Sequence, residues 1–123
     1  ITPKSSGSIE YIAELLTNVG FNCDIQVFGE AEEEKTINPY ARYGNNSPNI
    51  CFAGHVDVVP PMNENLWDYS SFELNVIGEV VYGRGTVDMK GAIACAIVAA
   101  LNYLKNHISQ WDLMNSKSYK KFD

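Results

Sequence analysis

An α/β fold is predicted by three features of the 123-residue sequence. Residues 6–20 have helical periodicity, 50–54 form a short run apolar on both alternating sides, and 88–106 form a strongly apolar helix. A strand apolar on both faces belongs inside a sheet covered by helices. A helix apolar nearly all round belongs inside a larger body. The expected architecture is therefore a partial three-layer α/β/α domain with a mixed, mainly parallel sheet.

In the first helix Ile9, Ile12, Ala13, Leu16 and Val19 share one face, and Gly20 stands where a left-handed cap ends a helix. Residues 23–28 (CDIQVF) alternate like a strand. A second short strand is expected over 38–43, closed by the turn cluster Gly44-Asn45-Asn46-Ser47-Pro48. The interior strand 50–54 ends before Pro60-Pro61, and an irregular loop at 62–71 carries Trp67 and Tyr69. Residues 72–76 and 80–82 flank Gly78 as a hairpin, and Gly83-Arg84-Gly85 leads tightly to Asp88. In the long helix Ile93, Ile97, Ala100, Leu101 and Leu104 make one stripe and Ala92, Ala96, Ala99 and Tyr103 another. Exposed apolar surface on it would make the isolated chain prone to association. Residues 107–123 lose the period, end in Lys117, Lys120 and Lys121, and are expected to be poorly packed against the unit formed by 1–106.

The net charge of −6 argues against nucleic acid and anionic membranes as partners. No stretch is seen to reach the ~20 apolar residues that cross a bilayer, and no secretory leader pattern opens the sequence. Glu30, Glu32, Glu33 and Glu34 are expected to form a solvated loop. Cys23, Cys51 and Cys95 are scattered among apolar neighbours, the pattern of buried reduced thiols in a cytosolic protein.

Chemistry concentrates in AGHVDVVP at 53–60 and GRGTVDMKG at 83–91. Residues two apart in an extended segment point the same way, so His55 and Asp57 reach one site. That site lies past the carboxyl end of a central strand, where open α/β sheets bind ligands. Imidazole is a good zinc ligand, and a carboxylate on its second nitrogen fixes the tautomer. A structural histidine satisfies the same H-x-D pattern. Asp88 stands before the long helix, where an aspartate is also a routine N-cap. The surrounding Gly83, Gly85 and Gly91 exceed what a cap needs, because glycines let backbone approach a site closely. Arg84 is expected to anchor this loop through carboxylates and Lys90 to be solvated. His107, near the expected end of the long helix, is explained by the helix dipole.

The segments FAGHVDVVP, Ser70-Ser71-Phe72-Glu73 after Trp67, and VYGRGTVDMKGA resemble the di-zinc aminoacylase and carboxypeptidase superfamily, most closely its desuccinylase branch. ITPKSSG, VFGEAEEEKTINPYARYG and the double proline add to the likeness, which covers residues 1 to 106. The resemblance implies a zinc-peptidase-like catalytic domain in which His55 is a ligand to one zinc, Asp57 orients it as an active-site residue, and Asp88 bridges two Zn(2+) ions. Co(2+) is an alternative metal. It also implies a cis bond at Asp88–Met89, a homodimer, a cytoplasmic location and a succinylated amino acid as substrate. The reaction implied is hydrolysis of N-succinyl-LL-2,6-diaminopimelate to succinate and LL-2,6-diaminopimelate, in lysine and diaminopimelate synthesis. Acetylornithine deacetylase-like and related peptidase activities, a non-catalytic remnant and a split-enzyme module are the alternatives.

The sequence departs from that pattern after the long helix. The resemblance implies a strand and then a Glu-Glu pair, general base followed by ligand, but residues 107–123 offer only Asp112 and Asp123 as carboxylates. The dimerisation domain is likewise not in these residues. The expectation is that the 123-residue polypeptide alone does not turn over substrate.

Overall fold

The computed structural model describes residues 7–31 and 35–112, with side chains to 107. Helix α1 (Ser8–Thr17) buries Ile9 and Ala13, the centre of the face expected from the sequence. Gly20, at φ 94°, closes it: the Gly20 N–H donates to the Thr17 carbonyl and the Phe21 N–H to the Leu16 carbonyl. This pair of bonds satisfies carbonyls that the helix end leaves open. The chain then enters β1 (Asn22–Phe28), which pairs antiparallel with β2 (Thr36–Arg42) in the register Asn22↔Arg42 to Phe28↔Thr36. Pro39 is tolerated in β2 because this ribbon has only two strands, so each has a free edge. Helix α1 packs on both strands, and the Phe21 and Tyr43 rings meet at 5.3 Å beyond the end of the ladder. Glu30 is exposed, while Glu32, Glu33 and Glu34 lie outside the described residues.

The second half positions the site. After a 3-10 turn (Glu64–Leu66), capped by the Asn63 side chain on the Asn65 N–H, comes the hairpin of β3 (Asn75–Ile77) and β4 (Val80–Tyr82) around Gly78. A wide turn (Thr86–Lys90), closed by the Lys90 N–H on the Gly85 carbonyl at 2.8 Å, runs into α2 (Gly91–Asp112). Asp88 and Met89 leave helical dihedrals within that turn.

Several expectations are corrected. Residues 50–54 join no ladder, and Ile50 is 102% exposed. A strand with two apolar faces needs neighbouring strands and covering layers; no strand pairs with this segment among the described residues, and Met89 and Ile93 come against it at Gly54. Both sheets are two-stranded and antiparallel, so the parallel pairing predicted for the sheet does not form among these residues. Antiparallel ribbons need only a local turn, whereas parallel pairing needs a crossover to a further strand. Helix α2 continues to Asp112, past its expected end at 106, so His107 is not in its last turn. Its Nδ1 bonds the Tyr103 carbonyl at 2.8 Å and its ring stacks on Tyr103. The poorly packed tail expected beyond it falls, from residue 113 onward, outside the described residues.

The cysteines are free, but Cys51 and Cys95 are exposed rather than buried, because their apolar surroundings are themselves uncovered. Among the described residues the buried apolar side chains are Ile9, Ala13 and Leu104, while Phe52, Val59, Val87 and Val98 are more than half exposed. Thr86–His107 does meet the length and composition of a membrane span, contrary to the sequence expectation. Asp88, Lys90 and Lys105 within that stretch are costly in hydrocarbon, so its apolar surface suits a protein interior.

Candidate metal centre

The two chemistry-bearing segments meet. Gly85, at φ 89°, is buried, and a Cβ there would lie 2.7 Å from Val58 Cγ1. Only a residue without a side chain permits this contact at this dihedral. Gly91 similarly comes against the Thr86 carbonyl oxygen. The close approach expected of the glycines is thus present, and it lays the turn that carries Asp88 against the segment that carries His55.

His55 sits between the two aspartates. Its Nδ1 lies 3.1 Å from the Asp57 carbonyl oxygen and 3.2 Å from Asp57 Oδ1. Its Nε2 lies 3.1 Å from Asp88 Oδ1. The three side chains are open, at 48% exposure for His55, 82% for Asp57 and 83% for Asp88. The hydrogen bond to the Asp57 carbonyl, together with the charges of Asp88 and Asp57, holds the imidazole above its usual 6.5 against the opposing effect of desolvation. The Asp88–Met89 bond is cis.

This donor set fits a cation. With Nδ1–H donated to Asp57, neutral His55 turns an Nε2 lone pair toward a carboxylate oxygen. Two acceptors 3.1 Å apart need a proton or a metal ion between them. Zinc bonds of about 2.0–2.2 Å at a tetrahedral angle set neighbouring donors about 3.3–3.5 Å apart, so a small movement of the exposed Asp88 admits one. Among the described residues no group of three or more histidine, cysteine, aspartate or glutamate side chains is arranged to hold a metal ion. A catalytic zinc takes about three protein ligands, so the pair is an incomplete set.

The role of Arg84 differs from expectation, whereas Lys90 is exposed as expected. Arg84 forms no ion pair among the described residues; its guanidinium lies over the Trp67 ring, 4.9 Å from the centroid. The aliphatic stem of exposed Lys90 lies against Gly85. Trp67, expected in an irregular loop and in the resemblance but with no role assigned to it, lies between the two motifs. Its indole N–H donates to the Pro61 carbonyl at 3.0 Å.

Residues 51–111, about half of the chain, match the model of Peptidase family M20/M25/M40. Over 108 residues, 87% of its length, the chain is 51% identical to the succinyl-diaminopimelate desuccinylase of Rickettsia felis, and equally to those of Rickettsia prowazekii and Rickettsia massiliae. It spans 28% of the length of these curated relatives.

Proposed function

Because this chain belongs to peptidase family M20/M25/M40, we propose that it is the metal-ligand-bearing part of an amide hydrolase of the succinyl-diaminopimelate desuccinylase type. The observation that carries this reading is the His55 ring fixed by Asp57 on one nitrogen and facing Asp88 with the other. The substrate is N-succinyl-LL-2,6-diaminopimelate, a succinylated amino acid, hydrolysed to succinate and LL-2,6-diaminopimelate in the cytoplasm.

His55 and Asp88 would hold metal, Asp88 would serve both ions as the family resemblance implies, and Asp57 would be the active-site carboxylate that keeps Nε2 free to ligate. Bound zinc, or cobalt in its place, would supply Lewis acidity that polarises the amide carbonyl and activates water. Asp57 accepts the Nδ1 proton and so fixes the tautomer and raises the basicity of the ligating nitrogen. The general base and the other ligands are not among His55, Asp57 and Asp88, and the 123-residue polypeptide does not catalyse turnover by itself. The three-layer α/β/α arrangement with a mainly parallel sheet belongs to the same proposal. It is supported by the doubly apolar 50–54 segment, unpaired among the described residues, and by the exposed Val98 and Tyr103 side of α2.

The test is a chimera in which residues 7–106 replace the matching segment of the Rickettsia felis relative. Desuccinylation that is lost with His55→Ala, Asp57→Ala or Asp88→Ala is the expected result. A well-folded chimera without activity, or one indifferent to those substitutions, contradicts the proposal.

A further inference from the structure

Trp67 is not a candidate ligand, yet it touches both segments that supply the ligands. Its N–H holds the Pro61 carbonyl at 3.0 Å, at the end of the segment that begins with His55. Its ring carries the guanidinium of Arg84, which opens the turn leading to Asp88. Both side chains are half-buried. The Arg84 backbone N–H donates to the carbonyl of buried Ser71 at 2.6 Å, fixing the base of that side chain. Arg84 Nε is buried without a hydrogen-bond partner among the described residues, so the aromatic stack locates this guanidinium rather than an ion pair. The next residue, Gly85, rests on Val58 and closes the circuit back to the first segment.

We propose that Trp67 and Arg84 form a positioning clamp that sets the distance between His55 Nε2 and Asp88 Oδ1. The clamp touches neither metal nor substrate and acts through the two ligand-bearing segments. Its role in metal capture rests on the ligand assignment made above, while its effect on the His55–Asp88 contact does not. A cation over an aromatic face spans about 0.5–1 kcal/mol at an open site, which corresponds to a roughly 2-fold to 5-fold change in an equilibrium.

The experiment uses the 123-residue chain with Arg84→Ala, Arg84→Lys, Trp67→Leu, Trp67→Phe and the double variant Arg84→Ala/Trp67→Leu. Amide NMR signals of α1, β1 and β2 report whether each variant retains the fold. The metal-free readout, at one mildly acidic pH where a proton on Nε2 lies between His55 and Asp88, is the nitrogen shift of His55 Nε2; the metal readout, at one alkaline pH, is Co(2+) broadening of the His55 ring protons. Arg84→Ala and Trp67→Leu are expected to move the Nε2 shift toward that of the Asp88→Ala variant and to weaken Co(2+) capture about 2-fold to 5-fold. Arg84→Lys keeps a cation over the ring and should restore most of both signals, while Trp67→Phe keeps the ring but loses the N–H bond to Pro61 and should restore them in part. The double variant should lose no more than Trp67→Leu, since that substitution already removes the contact with Arg84.

A folded Arg84→Ala chain with the wild-type Nε2 shift overturns the clamp, as do additive losses in the double variant. If Arg84→Ala disturbs the α1–β2 signals, Arg84→Gln replaces it, and rescue by Arg84→Lys but not Arg84→Gln supports the clamp while equal behaviour overturns it. Absence of Co(2+) broadening at His55 in the wild-type chain counts against the ligand assignment alone, because the metal-free shift still decides the clamp.

Discussion

Gly85→Ala tests how tightly the two segments are joined. The residue has φ 89°, a region that costs an L-residue about 1–2 kcal/mol. The added Cβ would stand 2.7 Å from Val58 Cγ1, whereas carbon atoms pack best at about 3.5–4.0 Å. The overlap is close to one ångström, and overpacking of this kind costs about 1–3 kcal/mol. Val58 is half-buried and able to turn aside, so the lower end of that range applies. The sum is about 2–3 kcal/mol, or roughly a 30-fold to 150-fold rise in opening of the turn. Hydrogen exchange at the Lys90 amide, which donates to the Gly85 carbonyl, measures it directly. Adding Val58→Ala should recover the steric part, about 1 kcal/mol, and leave the dihedral part. A loss under about 0.5 kcal/mol, the scale of an ordinary surface change, would refute the reasoning.

Other outcomes follow from the same geometry. The His55 titration midpoint, followed by NMR, should lie above 6.5 and fall in Asp88→Asn; an unshifted midpoint contradicts the contact. The sign is fixed: a raised histidine pKa stabilises the fold below about 6.5, and that contribution disappears as pH rises through the folded value. Zinc uptake by the 123-residue chain should be weaker than micromolar, because two protein ligands are fewer than a catalytic zinc takes, and should vanish in His55→Ala. Tight binding that survives that substitution points to other ligands. The purified 123-residue chain should release no succinate from the diaminopimelate substrate. Turnover abolished by a chelator and by Asp57→Ala would overturn this. Val98→Glu, on the exposed α2 surface with Ala94, Cys95 and Ala99, should lower self-association in sedimentation, and an unchanged distribution argues against that face.

What could be read in the sequence and what could not differ by the range of the interactions involved. Helix α1, the strands β1 and β2 and the hairpin around Gly78 were legible because their periodicity, their turn residues and the Gly20 cap all act within a few residues. The strand at 50–54 was not, because an apolar run becomes a strand only when partners supply its hydrogen bonds. For the same reason α2 declared its apolar character in sequence while its Ala92, Ala99 and Tyr103 side remains open in the fold. His55 and Asp57 were legible as a pair through the alternation of an extended chain, and Asp88 through its place before a helix.

That Asp88 comes to His55 from 33 positions along the chain could be decided only by the tertiary structure. The contact depends on Gly85 seating against Val58 and on Trp67 reaching both Pro61 and Arg84. Local sequence determined which residues stand as candidate ligands and how each segment bends. Long-range packing decided that the two segments face one another, because the separation of two carboxylate-bearing loops is set by side chains that themselves bind nothing.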